Sequence, residues 1–397
     1  MVKSARVRRT QRDRAAAPVL PEDLVLWEIF YRLPAKEILR CRAVCRSWRR
    51  LACDAEFLLA HHRRQPSLPL VLFNRNAFSK VPATVDAFDL RQSPAVRRPI
   101  LGFRSYDECH KYYIRASCDG LLLLSRTYRL YYICNPATRQ WCALPVPDVS
   151  NVVTLYHHRQ SGEYRVLYVE HPDGHFSAVY YVLTVGSSLE EKRCIGLSVP
   201  SPSVKKWIAH ARPLDQDNPS VLLHDCLHWY SGNYLDAEWK VVVFDTVDES
   251  FRCMRSPPVA DNEAEAHLCR MDGTLGIHQV DRHTMTVQVW ALQDYEMEVW
   301  SLKHIIQLPV VEMTKYAPYT TFYLMAVTEN GDMLVSGSYS GLLFHCDREG
   351  KLVDKFQEAC VNPEVLRLSF KESLVKHVFF ERKDRKRVKL QSFFRGL

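Results

Sequence analysis

Between Leu20 and Arg64 apolar residues return at helical spacing, with Leu24, Trp27 and Tyr31 on one row and Leu26, Ile29 or Phe30, and Leu33 on the next. Pro21 suits a first helical position, where its missing N–H costs nothing. Glu22 and Asp23 then favour the helix dipole in the first turn. Pro34 stops that helix and opens the next. Ile38, Leu39, Val44, Trp48 and Leu51 carry the spacing through a basic surface of Arg40, Arg42, Arg46, Arg49 and Arg50. Phe57, Leu58 and Leu59 close the unit. The pattern predicts three short helices within residues 18–64. A unit this small buries little apolar area by itself and gains from a partner.

After Pro66 the helical period vanishes. Short apolar or alternating runs follow, bounded by Gly, Pro, Asn and Asp. They are predicted as strands at Leu68–Phe73, Gly120–Leu124, Leu130–Cys134, Tyr164–Glu170, Ala178–Val185, Val221–Tyr230, Lys240–Phe244, Thr286–Ala291, Phe322–Val327, Met333–Gly337 and Leu342–Cys346. Residues 65–397 are too many for one sandwich and suit a propeller built from blades of ~45 residues. A loose internal rhythm supports this. Ser117-Cys-Asp-Gly-Leu-Leu leads to Asn135-Pro-Ala-Thr-Arg-Gln-Trp141, Cys226–Tyr230 leads to Val241–Asp245, and Asp272-Gly-Thr-Leu-Gly276 leads to Val287–Trp290. Its irregular spacing gives six to eight blades. The expected class is α+β and multidomain: a three-helix module, then an all-β propeller-like domain.

Apolar residues are 47% of the chain and charged residues 25%, enough to bury a core over most of its length. The formal charge of +8 gathers at the two ends, in Lys3 to Arg14 and Arg382 to Lys389. The middle is near neutral, which argues against a nucleic-acid groove through the fold. Residues 1–17 are expected to form a disordered basic arm. Both basic ends suit nuclear import, so the nucleus, the cytoplasm or both are the expected compartments. No apolar run approaches the ~20 residues that cross a bilayer, and no membrane partner is expected. Thirteen cysteines without a CxxC are expected to be reduced buried thiols, not a zinc module.

One array is specific. Leu20-Pro21-Glu22-Asp23-Leu24, Ile29, Arg32-Leu33-Pro34, Leu39, Arg42, Val44-Cys45, Ser47-Trp48 and Leu51 resemble an F-box in order and spacing. The resemblance implies a Skp-type adaptor as partner and, through it, a cullin and a RING subunit. It implies adaptor-binding roles for Leu20, Pro21, Leu24, Ile29, Leu33, Pro34, Leu39, Val44, Cys45 and Trp48. The segments Ser117-Cys-Asp-Gly-Leu-Leu, Cys134-Asn-Pro-Ala-Thr-Arg-Gln-Trp and Tyr164-Arg-Val-Leu-Tyr-Val are similar to plant-type F-box-associated, kelch-like domains. In such proteins the propeller holds an unknown protein substrate for ubiquitination. Loops Tyr156–Gly162, His171–His175 and Asp215–Asn218 are candidate target contacts, since function concentrates on loops.

No catalytic constellation emerges, and no cofactor or metal is expected. His224-Asp225-Cys226 and His157-His158 are read as neighbours within strands, whose side chains diverge. Asp86 with Asp89, and Glu263 with Glu265, are read as solvated loop charges rather than a carboxylate pair. Gly-x-Ser-x-Gly, phosphate-loop and His-Glu-x-x-His patterns are missing. The alternative reading is a ligand-binding propeller or propeller enzyme with an accessory helical cap.

Overall fold

The computed structural model describes residue 24 and residues 28–75, 83–103, 112–126, 130–147, 151–170, 179–195, 219–231, 241–258, 266–338, 340–357 and 361–380. Among the described residues of the helical module, Leu24 is helical, Phe30–Arg32 forms a 3-10 turn, and α1 (Ala35–Cys41), α2 (Arg46–Leu51) and α3 (Ala55–Arg64) follow. Another helix, α4 (Val310–Thr314), lies within the β domain.

Among the described residues, twenty-four strands form six four-stranded antiparallel sheets, the blades of a propeller. Blade 1 is β1 (Leu68–Arg75), β2 (Ala83–Asp89), β3 (Val96–Phe103) and, from the far end of the chain, β24 (Val361–Phe370). Blade 2 is β4 (Tyr112–Cys118), β5 (Leu121–Arg126), β6 (Leu130–Asn135) and β7 (Gln140–Ala143). Blade 3 is β8 (Asn151–His158), β9 (Glu163–Glu170), β10 (Val179–Thr184) and β11 (Arg193–Ile195). Blade 4 is β12 (Val221–Leu223), β13 (Cys226–Tyr230), β14 (Val241–Asp245) and β15 (Ser250–Met254). Blade 5 is β16 (Ala266–Met271), β17 (Thr274–Asp281), β18 (Thr286–Asp294) and β19 (Val299–Gln307). Blade 6 is β20 (Phe322–Val327), β21 (Met333–Gly337), β22 (Leu342–Cys346) and β23 (Leu352–Gln357). The six-to-eight expectation thus resolves to six.

The ring closes because β24 pairs with β1, Leu68 opposite Phe370, so both ends of the domain share one blade. Each blade is buried on both faces, and alternation splits its strands between two neighbours. Leu122 and Leu124 pack toward blade 1, while Leu121 and Leu123 pack toward blade 3. Val242 and Phe244 pack toward blade 3, while Val241 and Val243 pack toward blade 5. This is why the middle strands read as unbroken apolar runs.

The turn chemistry repeats as well. Asp119-Gly120, His224-Asp225 and Asp272-Gly273 join the first two strands of their blades with both residues at positive φ, the tight hairpin turn that suits strand twist. Val221–Tyr230 is therefore two strands, not the single one expected. His224 and Asp225 form the turn, so His224-Asp225-Cys226 is a hairpin tip. A second turn starts at an Asx whose Oδ1 accepts backbone N–H groups two or three positions on. Asn135 takes Thr138, Asp245 takes Val247 and Asp248, Asp281 takes His283 and Thr284, and Asp294 takes Met297.

Asp86 and Asp89 correct another expectation. Both are buried in β2, not solvated in a loop. Asp86 pairs with Arg97, and Asp89 binds Arg91 at 2.7 and 2.8 Å and Arg98 at 3.0 Å. Buried charge persists only when paired and hydrogen-bonded. Glu263 and Glu265 lie outside the described residues.

Candidate functional site

The helices are too short to stand on propensity alone, and one small core holds them. Phe30 and Ile38 are fully buried at its centre, with Tyr31, Ala35, Ala52, Phe57 and Leu58 around them. Trp48 meets Phe30 edge-on with ring centroids 5.1 Å apart, and Arg64 lies 4.4 Å over the Tyr31 ring. The caps are local. Cys45 Sγ accepts from Trp48 N at 3.4 Å to start α2, and Asp54 Oδ1 accepts from Phe57 N at 2.8 Å to start α3. The Arg42 guanidinium donates twice to the Ala52 carbonyl, bracing the end of α2.

The chain after β24 fixes this module to the propeller. Leu374 is buried in the helical core, with Val375 against it. The Glu372 carboxylate accepts from Ala35 N at the start of α1, while its carbonyl receives His62 Nδ1 at 2.9 Å. Lys371 Nζ donates to the Arg63 carbonyl at 2.7 Å, and Asn135 Nδ2 donates to that of Ser373 at 3.0 Å. Ala137, at the tip of the Asn-Pro-Ala-Thr hairpin, packs on the same helical core. That hairpin serves as scaffold for the module. Residues 374–380 run without strand pairing into a short 3-10 turn, Val378–Phe380, with Phe379 and Phe380 against blades 2 and 3. Burial pushes the His61 imidazole pKa down, against the Leu33 carbonyl that Nε2 meets at 2.8 Å.

The sequence-derived adaptor residues divide. Leu33, Leu39 and Trp48 are half-buried on the helical core, and Pro34 is the N-cap of α1. Cys45 is exposed but spends its sulfur on the α2 cap. Leu24, Ile29 and Val44 stay on the surface, 49%, 38% and 63% exposed. Leu20 and Pro21 lie outside the described residues. Glu372 and Leu374, which hold the module in place, were not singled out from the sequence. No local pattern links positions so far apart.

The module and its strap occupy the end of the propeller where the first and third hairpins of each blade turn, as the contacts of Asp119, Gly120, Asn135, Ala137 and Gly186 show. The Tyr156–Gly162 loop turns at this same end. Tyr156 is buried with its hydroxyl on Glu249, and Arg159 pairs with Asp225 of blade 4, so this loop braces neighbouring blades. His171–His175 and Asp215–Asn218 lie outside the described residues. At the opposite end, α4 and the chain after it expose Val311, Tyr316 and Tyr319. Among the described residues, no three His, Cys, Asp or Glu side chains gather as a metal set.

Comparison with known proteins agrees with this architecture. Residues 18–64 match the F-box-like family, and residues 99–380 match the F-box associated beta propeller domain. This chain belongs to the F-box proteins with an F-box associated propeller. Among Arabidopsis thaliana relatives, F-box protein At5g65850 is 24% identical over 341 residues, covering 82% of this chain and 80% of that one. Putative F-box protein At3g10240 is 25% identical over 357 residues, covering 85% and 83%. Putative F-box/kelch-repeat protein At1g12870 is 23% identical over 308 residues, covering 73% and 71%. An F-box joined to a propeller supports a substrate-receptor role, typically non-enzymatic, and an F-box implies a Skp-type adaptor as its general partner.

Proposed function

We propose that this F-box protein is the substrate-recognition subunit of a Skp-cullin-F-box ubiquitin ligase. The observation that carries this reading is the exposure of the apolar Leu24, Ile29 and Val44 on a helical module whose own core is already filled. Exposed apolar side chains on a small helical module mark a partner-binding face. Arg46 and Arg49 on α2, which follows Val44 in the chain, are exposed and suit an acidic rim on the adaptor.

The adaptor would connect the chain to a cullin and a RING subunit, and the propeller would hold a protein target near the ubiquitin-carrying enzyme. Proximity raises the effective concentration of a target lysine, and this chain needs no chemistry of its own. The module is strapped to the propeller by Leu374 and Glu372, so the target would be held at a fixed distance from the adaptor. We assign target contact to the propeller end away from the helices, where Val311, Tyr316 and Tyr319 are exposed. Its work would lie in the cytoplasm or nucleus.

Co-purification of the full chain with a Skp-type adaptor tests the reading, using the native protein and a Leu20→Ala/Pro21→Ala variant. Binding that the variant loses supports it. A folded native chain that binds no adaptor overturns it.

A further inference from the structure

The six inner strands enclose a cavity of 330 Å³ along the propeller axis, lined from every blade by β4, β8, β12, β16, β20 and β24. Its described lining carries more basic than acidic side chains. Arg115, Arg270, Arg367 and Lys371 line it against two carboxylates, Asp119 and Glu329. Both carboxylates are engaged at the end nearer the helices: Asp119 accepts from the Tyr164 hydroxyl and faces His62, and Glu329 pairs with Arg270 at 3.2 Å.

Two of the arginines sit on strand irregularities. Register breaks at Arg115 in β4, and β24 sets Leu366, Arg367 and Leu368 opposite Leu70 alone. Bulges re-aim side chains, and these are on adjacent inner strands. Arg367 is left-handed, with φ of 51°, a costly conformation for a non-glycine residue. Arg115 Nε is held by Ser125 Oγ at 2.8 Å, and Arg367 Nε donates to the Met325 carbonyl at 2.9 Å. These bonds fix the two guanidinium groups and orient them.

His278 lines the same cavity, is 2% exposed, and has no hydrogen-bond partner at either ring nitrogen among the described residues. A buried polar group without a partner costs about 1–3 kcal/mol, and a ligand oxygen accepting its N–H would remove that cost. Burial and the nearby Arg367 push the imidazole pKa down to about 3, so the ring is a neutral donor at neutral pH.

We propose that this axial cavity binds a small polyanion bearing phosphate or carboxylate groups, held by Arg115 and Arg367, with His278 as a further donor. Arginine suits such groups because its planar fork matches their oxygens. The volume is that of a small metabolite, not a peptide. Lys371 lines the cavity and also donates to the Arg63 carbonyl at the end of α3, so an anion there would lie beside the helix-propeller junction.

Titration calorimetry of the purified full chain with pyrophosphate, and separately with citrate, tests this. The expected result is saturable one-site binding of at least one of them. It should weaken about tenfold or more in Arg115→Gln and Arg367→Gln, and stay unchanged in Arg159→Gln, whose guanidinium lies on an exposed turn. Binding of pyrophosphate alone assigns a phosphate ligand, and of citrate alone a carboxylate. Should Arg367→Gln not fold, Arg115→Gln alone carries the comparison. No heat with either anion, or equal affinity in the channel variants and the native chain, overturns the proposal.

Discussion

The Glu372 carboxylate accepts the backbone N–H of Ala35 at 3.0 Å, joining residues 337 positions apart. It supplies an acceptor and a negative charge at the start of a helix whose own cap, Pro34, has no side-chain acceptor to offer. Glu372→Ala is expected to cost about 1 kcal/mol, as other lost helix caps do. Hydrogen exchange should show this as faster exchange confined to α1 and its neighbours, with the propeller strands unchanged.

Gly120 shows how tightly the strap lies on blade 2. Its φ is +84°, and a Cβ there would stand 2.3 Å from Ser373 Cβ and 2.9 Å from the Lys371 carbonyl oxygen. Gly120→Ala therefore combines an unfavourable backbone with a collision, and should destabilise by more than ~1 kcal/mol. Limited proteolysis should then release the strap and helices before the blades. Leu374→Ala removes a buried side chain from the helical core, with an expected loss of about 2–5 kcal/mol by thermal or denaturant unfolding. An unchanged proteolysis pattern in both variants would contradict the strapped arrangement.

Asp89 makes part of the stability pH-dependent. The Arg91 hydrogen bond, with the charges of Arg91 and Arg98, holds its carboxyl pKa below the ordinary value in spite of burial. A carboxylate depressed on folding stabilises the protein above its unfolded pKa, about 3.9, and that contribution fades as pH falls toward the folded value. Asp89→Asn should lower stability at neutral pH by about 1–3 kcal/mol and flatten the fall in melting temperature below pH ~4. Parallel acid limbs for the native chain and the variant would contradict this role.

How much of the fold could be read depended on burial. The runs Leu121–Leu124, Val241–Phe244 and Leu342–Cys346 are buried on both blade faces, so their apolar character was plain. The outer strands β7 and β23 are half-exposed or alternate with solvent, and Gln140–Ala143 and Leu352–Gln357 carried no comparable signal. The blade number stayed open because the closing strand, Val361–Phe370, completes blade 1 from the other end of the chain. Asp86 and Asp89 looked like solvated charges because their cations, Arg97 and Arg98, stand on the next strand. Helical period marked Leu33, Leu39, Trp48, Ile29 and Val44 together. It could not divide core from surface among them, since Leu374 and Ala137 complete that core from distant positions.

The basic face of α2 gives a separate expectation. If Arg46 and Arg49 meet an acidic adaptor rim, association should slow as salt rises while dissociation changes little. Stopped-flow mixing with a Skp-type adaptor at two ionic strengths reads this, and salt-independent association would remove the charged rim from the account.

The most direct test is adaptor affinity for an Ile29→Lys/Val44→Glu double variant. Both side chains are exposed, so the melting temperature should stay close to that of the native chain. The account predicts normal folding with adaptor binding weakened by about a hundredfold or more, roughly 3 kcal/mol across two central contacts. A folded double variant that binds the adaptor as tightly as the native chain would contradict the assignment of this surface.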